Sequence, residues 1–335
     1  MHESNVVVDS NQCLAISNVL LLMEFREGFT RRPFLNHPLK KETRLAMLFY
    51  AVAICHQTRS LRSAKCNLFG WDYIEKVFLD LALKKSALLI PESLGKDEVE
   101  SIASALESAF SDDGNPVNTT LDSIEERVGL MKDLSRFLQI ESGGSFSHLI
   151  EKTGGLLYNQ GSGFYEMLEK TDAFGDPMRK KSSFLLKLLI DSGLFVIRDR
   201  ENYIPIMDYH MQRVLLRLGC IRINDRELLG AIKKRALLPT DQPVRKACIE
   251  AVNEIARYSG IEVWKMNDIF WSLGRSCCND IMLCLDEHCS KEPCTFQTIV
   301  LIPEHKNCSF ESVCSGYGRE ETRLLWEPIV ETHYY

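Results

Sequence analysis

Apolar side chains recur at helical spacing through most of this chain, a pattern that leaves little room for a sheet-based fold. Between Val244 and Tyr258, the residues Ala247, Cys248, Ala251, Val252, Ile255 and Tyr258 share one face, the stripe of an amphipathic helix. Asp97 to Phe110 repeats it with Val99, Ile102, Ala103, Leu106 and Phe110, acids standing opposite. Met211 to Leu218 and Asp225 to Lys234 also read as helices. The clearest strand signal is Thr298-Ile299-Val300-Leu301-Ile302, closed by Pro303, while Ile221-Arg222-Ile223 is too brief to assign. Loops are marked by Asp112-Asp113-Gly114-Asn115-Pro116, Gly143-Gly144, Gly161-Ser162-Gly163 and Pro239-Thr240-Asp241-Gln242-Pro243. No solenoid-length repeat is visible. At 335 residues and 45% hydrophobic content, the chain can bury one large core or two smaller ones. The expected organisation is a tail over 1–14, a helical domain over 15–276 and a Cys-rich appendage over 277–335.

A net charge of −6 excludes binding to nucleic acid through the average field. A local basic face would be needed. Arg26, Arg31, Arg32, Lys40, Lys41 and Arg44 supply one cluster, Arg179, Lys180, Lys181 and Lys187 a second, and Arg213, Arg217, Arg222, Arg226, Lys233, Lys234 and Arg235 a third. Any one of them also reads as a solvated helix face. The start of the sequence has no basic segment followed by an apolar stretch, and Val19-Leu20-Leu21-Leu22-Met23 is too short to span a bilayer. A cytoplasmic protein with reduced thiols and no membrane partner is expected. Seven of its twelve cysteines fall between Cys277 and Cys314, which in such a chain points to a metal rather than to disulfides.

Two segments carry the chemistry. In Asp176-Pro177-Met178-Arg179-Lys180-Lys181-Ser182-Ser183-Phe184, Asp-Pro reads as a helix start with two lysines in the first turn. The positive end of a helix disfavours another cation, so a partly buried lysine there can be a neutral nucleophile. The plain reading is two solvent-facing lysines. Farther on, Ile204-Pro205-Ile206-Met207-Asp208-Tyr209-His210 puts Asp208 at the start of the Met211 helix. It is placed to be an N-cap, and equally to stay ionised beside the oxocarbenium charge that develops when a glycosidic bond breaks.

These segments resemble the archaeal GO (8-oxoguanine) DNA glycosylases. That family has a Lys-Thr helix start after Asp-Pro, then Pro-x-x-Asp-Tyr-Arg, then Thr-Gly-Ile and Leu-Trp-Leu-Ala-Gly-Arg. Here stand Asp176-Pro177 with Lys180, Pro205-Ile206-Met207-Asp208-Tyr209-His210, Ser259-Gly260-Ile261 and Ile269-Phe270-Trp271-Ser272-Leu273-Gly274-Arg275. Earlier, Cys55-His56-Gln57-Thr58 and Gly70-Trp71-Asp72-Tyr73 are similar to the family's Ser-Tyr-Gln-Leu and Tyr-Trp segments. The matches keep their order over residues 45–276. The resemblance implies a mainly α, helix-hairpin-helix glycosylase fold. It implies Lys180 as the Schiff-base lysine, with Lys181 as the neighbouring alternative, and Asp208 as the stabilising carboxylate. Phe184 and Trp271 would wall the flipped base, Gln57 would read its edge, and Trp71 and the Asn267–Asp268 pair would complete the pocket. The mechanism implied is extrusion of a nucleotide, base excision and, through the lysine, β-elimination.

The departures bear on the substrate. The family's base-contacting Asp falls on Asn267, with Asp268 one position later, the Arg after Asp-Tyr is His210, and the Thr after the lysine is Lys181 or Ser182. A neutral amide cannot replace a carboxylate toward a purine N–H, so the expected substrate widens to other damaged or enzymatically modified bases in DNA. Modified phage DNA is among them, which would make the activity one of defence. Asp208-Tyr209 with Val214-Leu215 and Leu218-Gly219 also resembles the N-glycosylases of queuosine salvage, which use the aspartate without a lysine nucleophile. No cofactor is required for catalysis on either reading.

In the Cys-rich segment, Cys289-x4-Cys294 and Cys308-x5-Cys314 flank the expected strand, as two chelating pairs around a structural zinc would. Cys277, Cys278, Cys284, His288 and His305 offer further ligands. Some helix-hairpin-helix glycosylases carry an iron–sulfur cluster, but Cys278-x5-Cys284-x4-Cys289-x4-Cys294 does not fit its usual spacing.

Overall fold

A computed structural model describes residues 5–27, 29–289, 291, 293–302 and 305–335. The protein is mainly helical. Among the described residues, the helices of eight residues or more are α1 (Ser10–Leu20), α2 (Lys41–Ala53), α3 (Trp71–Leu83), α4 (Val99–Ala109), α5 (Ile124–Ser142), α6 (Lys180–Asp191), α7 (Tyr209–Leu218), α8 (Arg226–Lys233), α9 (Gln242–Ser259) and α10 (Val263–Arg275). Four short strands, β1 (Val6–Val8), β2 (Arg62–Ser63), β3 (Leu68–Phe69) and β4 (Ile221–Ile223), form two antiparallel pairs, β1 with β4 and β2 with β3. No described helix is long and apolar enough to cross a membrane.

The chain divides into two compact units, one made of residues 1–29 and 204–331, the other of 30–203 and 332–335. This differs from the expected division into tail, helical domain and appendage. Of the 1–14 tail, residues 1–4 lie outside the described residues, and the rest is structured: β1 pairs with β4, and Asp9 caps α1 by accepting from the Gln12 amide. The Cys-rich segment is not an appendage. Cys277, Leu283, Cys294, Phe296, Ile299, Val300 and Phe310 share one core with α1, α7, α9 and α10. A segment with that many buried apolar side chains must complete a neighbour's core.

Within the first unit, the caps are those the residues dictate. Asp208 caps α7, Gly219 ends it at φ +84°, Pro243 opens α9 and Gly260 ends that helix at φ +69°. On α10, a Cβ at Gly274 would lie 2.7 Å from the His210 carbonyl, so only glycine lets α10 approach α7 this closely. The expected strand at Thr298–Ile302 is absent, and its closing Pro303 lies outside the described residues. Phe296–Thr298 forms a 3-10 turn, and the pairing that remains is a single bridge between Val300 and Phe25, because Ile299 and Val300 are drawn into the core instead.

The second unit is organised on α2, whose residues from Leu45 to Ala53 are all buried. Helices α3, α5 and α6 pack on it. Phe49 stacks on Phe146 at 4.7 Å, and the buried Tyr50 hydroxyl is satisfied by Ser135 Oγ at 2.8 Å.

Candidate active site and metal centre

The second unit gathers the lysines. Helix α6 begins at Lys180 rather than at Asp176-Pro177. Arg179, at φ +58°, turns the chain into the helix, and Asp176 holds that turn from outside by accepting from the Met178 and Lys180 amides at 3.0 and 2.9 Å. The expectation of a lysine pair in the first turn therefore holds. Adjacent helical residues point about 100° apart, and the two lysines take different environments. Lys180 retains 8% exposure, with its Nζ 5.5 Å from the centroid of Phe184 and 3.9 Å from Cys55 Sγ. Phe184 is in edge contact with Trp71 at 4.7 Å. Lys181 is fully buried, donates to the Ala53 carbonyl at 2.6 Å and lies 3.5 Å from His56 Nδ1.

The electrostatics follow from this burial. Desolvation, aided by the charges of Lys180 and Arg127, brings the Lys181 ammonium down to about 7. Desolvation also brings His56 down to about 2, with Lys181 and Arg127 adding to it, so its ring is neutral. The neutral ring accepts from Lys181 through Nδ1, which leaves Nε2–H to donate to Glu126 at 3.1 Å. Arg127 fixes the segment that carries these groups: buried, it donates to the carbonyls of Ile54 and His56 and to Asp122.

Gln57 lies beside this cluster but is exposed, at φ +43°, with its Nε2 donating to the Thr332 carbonyl at 2.9 Å. His333 touches Glu126 and the His56 ring, so residues 332–335 lie along the same face. Of the participants, Glu126, Arg127 and His333 had no signal in the sequence, because each acts through a contact distant along the chain. Cys55 and His56 stood in a segment already singled out and were not assigned a role.

The first unit holds the remaining candidates. Asp208 is buried, caps α7 and accepts from the Met211 amide at 3.0 Å. Tyr209 and His210 follow it, their rings 4.2 Å apart. On α10, Trp271 is half-buried, with Phe29 at 5.7 Å, His210 at 6.2 Å and the Arg275 guanidinium at 4.8 Å from its ring. Asn267 is buried and Asp268 half-buried on the same helix. The structure thus brings Lys180, Lys181, Phe184, Trp71 and Gln57 together in one unit, and Asp208, Trp271, Asn267 and Asp268 in the other.

Several expected surface cations are interior. Arg213 donates to Glu327 at 2.6 Å, both side chains being 2% exposed, and Arg217 donates to the Leu325 carbonyl. Both guanidinium groups lie against Trp326. Lys187 is buried against Asp191. Of the clustered basic residues, Arg26, Arg222, Arg226, Lys233, Lys234 and Arg235 in the first unit and Arg31, Lys40 and Lys41 in the second are exposed.

Near the end of the first unit, Cys277, Cys289, Cys294 and His305 have their ligand atoms within 4.8 Å of one another, a group that could hold a metal ion. Cys277 Sγ lies 3.6 Å from Cys294 Sγ, 3.6 Å from His305 Nε2 and 3.9 Å from Cys289 Sγ. Hydrogen bonds from Cys277 and then Cys289 bring the Cys294 thiol down to about 2, so it is the ready thiolate of the group. The expected set of Cys289, Cys294, Cys308 and Cys314 is thereby divided. Its first pair joins Cys277 and His305, and its second pair lies outside this group. None of the cysteines is in a disulfide.

Comparison with known proteins adds no family: no family model matches the sequence, and no curated protein matches it.

Proposed function

We propose that this protein is a base-excising glycosylase of the helix-hairpin-helix kind, which cleaves the N-glycosidic bond of a modified or damaged base in DNA. The observation that carries the reading is the Lys180 amine. It stands at the positive end of a helix, nearly enclosed, over the ring of Phe184, which Trp71 backs. An aromatic wall beside an amine suits a flipped base whose C1′ is to be attacked. In the proposed step the Lys180 nitrogen forms a bond to C1′, and the base departs with the glycosidic electron pair and takes up a proton. By the resemblance alone, the carboxylate that would stabilise the positive charge on the sugar is Asp208. The C1′–O4′ bond then breaks, O4′ takes up the proton that the lysine nitrogen loses, and the iminium left at C1′ permits β-elimination of the 3′ strand. Lys181, turned into the interior, acts as a positioning residue that ties the start of α6 to the Ala53 carbonyl. Exposed basic residues of the Lys180 unit, such as Lys40 and Lys41, would meet phosphates, so binding should weaken steeply with salt.

The test is a base-release assay on single- and double-stranded oligonucleotides carrying a panel of modified bases, run beside the corresponding modified nucleoside monophosphates. Release from an oligonucleotide, abolished in Asp208→Asn and in Lys180→Gln, is expected. Release from monophosphates alone, abolished in Asp208→Asn and retained in Lys180→Gln, would overturn the lysine mechanism in favour of the salvage-type hydrolase.

For the Cys277–Cys289–Cys294–His305 group, the reading is a structural zinc. A tetrahedron with bonds of about 2.3 Å has edges of about 3.8 Å, close to the 3.6 to 3.9 Å between Cys277 Sγ and the other three ligand atoms. The group lies against the core of the first unit, so its part is to hold the fold rather than to react.

A further inference from the structure

Of the seven cysteines from Cys277 to Cys314, four lie outside the first group: Cys278, Cys284, Cys308 and Cys314. Two of them, Cys278 and Cys314, converge on one residue of α7. The sequence spacing of the four is symmetrical, Cys278-x5-Cys284 and Cys308-x5-Cys314. The backbone makes both arms turn back. A bridge between Cys278 and Met282 returns the chain so that Cys284 follows in the short Leu283–Asp286 helix. The Cys314 amide donates to the Phe310 carbonyl at 2.8 Å, and the Glu311 amide to the Cys308 carbonyl at 3.1 Å.

Both arms are anchored on one residue, the buried Arg217 of α7. Its Nη1 lies 3.6 Å from Cys278 Sγ, and its carbonyl accepts from Cys314 Sγ at 3.5 Å. A Cβ at Gly316 would lie 2.9 Å from that same carbonyl, so the chain just after Cys314 is pressed onto the end of α7. Four thiolates around a divalent ion carry two net negative charges, and the Arg217 guanidinium beside Cys278 offsets part of them.

The accounting is complete. The seven cysteines from Cys277 to Cys314 and His305 make eight ligands, which is two tetrahedra. We propose that Cys278, Cys284, Cys308 and Cys314 form a second, all-thiolate site for a zinc-class divalent cation, interleaved with Cys277, Cys289, Cys294 and His305. Adjacent residues Cys277 and Cys278 then serve different ions, and Cys289, Cys294 and His305 of the first site fall between the two pairs of the second. Among the described residues, only the first group is closed to within 4.8 Å, and a bound ion would draw in the second.

Elemental analysis of the purified full-length chain tests this, with native thiol titration alongside. Two equivalents of zinc per chain are expected, falling to one in Cys308→Ser and to one in Cys289→Ser. Cobalt(II) titration of the unsubstituted chain keeps the test independent of how the variants fold: two equivalents should bind, with ligand-field bands of an all-thiolate site beside those of a three-thiolate, one-imidazole site. One equivalent of zinc, lost in Cys289→Ser and retained in Cys308→Ser, with four thiols freely titratable, would overturn the second site and leave the first standing. Iron with acid-labile sulfide in place of zinc would overturn the assignment of the ion.

Discussion

Lys181 and His56 are two bases whose burial inside one unit holds their pKa values down, and each makes stability depend on pH in a defined window. The folded pKa of Lys181 is about 7 against an ordinary 10.5. Between those values the unfolded chain binds the proton that the folded chain does not, so stability rises with pH, by up to about 1.4 kcal/mol per unit. His56, at about 2 against 6.5, gives the same sign in a lower window: its contribution is complete above pH 6.5 and is lost progressively as pH falls toward 2. Denaturant unfolding across pH 4 to 10 should show both limbs. Lys181→Met should flatten the alkaline limb and His56→Gln the acid one. Unaltered slopes in both variants would contradict the burial on which the site's electrostatics rest. The lysine pair was legible in the sequence as a helix start, but not which lysine lies over the Phe184 ring. That is decided by Ala53, His56 and Phe184, of which the first two lie more than a hundred positions away.

At the scale of elements, the contact of α7 with α10 holds the Asp208 and Trp271 segments in one framework. Gly274→Ala should cost about 1–3 kcal/mol, because the new methyl meets a backbone carbonyl that cannot rotate away. Thermal or denaturant melts would measure it, and a neutral effect would mean that the helices lie farther apart. The buried Arg213–Glu327 pair makes a sharper case. Glu327→Ala leaves a guanidinium uncompensated in the interior and should cost about 3–5 kcal/mol, whereas removing both charges together should cost less than the sum of the single changes. The α9 helix was legible because periodicity, Pro243 and Gly260 agree on it. The strand β4 was not, since three residues gain meaning only from pairing with Val6–Val8 at the other end of the chain. Arg213 and Arg217 read as surface basic residues for a related reason: spacing shows that they share a helix face, not that the face meets Glu327 and Trp326.

At the scale of the molecule, the chain leaves the first unit after residue 29, builds the second, and returns at residue 204. Composition allowed two cores but could not say that one is closed by both ends of the sequence. The cysteine segment was misread as an appendage because its count signals a metal, while its Phe296, Ile299, Val300 and Phe310 signal a core, and only the fold unites the two. Metal should therefore stabilise the first unit. Stripping it with a chelator should raise amide exchange around Cys277, Phe296 and Phe310 and leave α2 and α5 of the second unit protected, as hydrogen-exchange mass spectrometry would read. Equal protection with and without metal would contradict a structural role.

The central claim is that Lys180 attacks the sugar, and borohydride trapping tests it most directly. The protein would be incubated with end-labelled oligonucleotides bearing modified bases, reduced with borohydride, and resolved under denaturing conditions. The account predicts a covalent protein–DNA band that disappears in Lys180→Gln and persists in Lys181→Gln. Base release without any trapped band, or a band that survives Lys180→Gln, would contradict it.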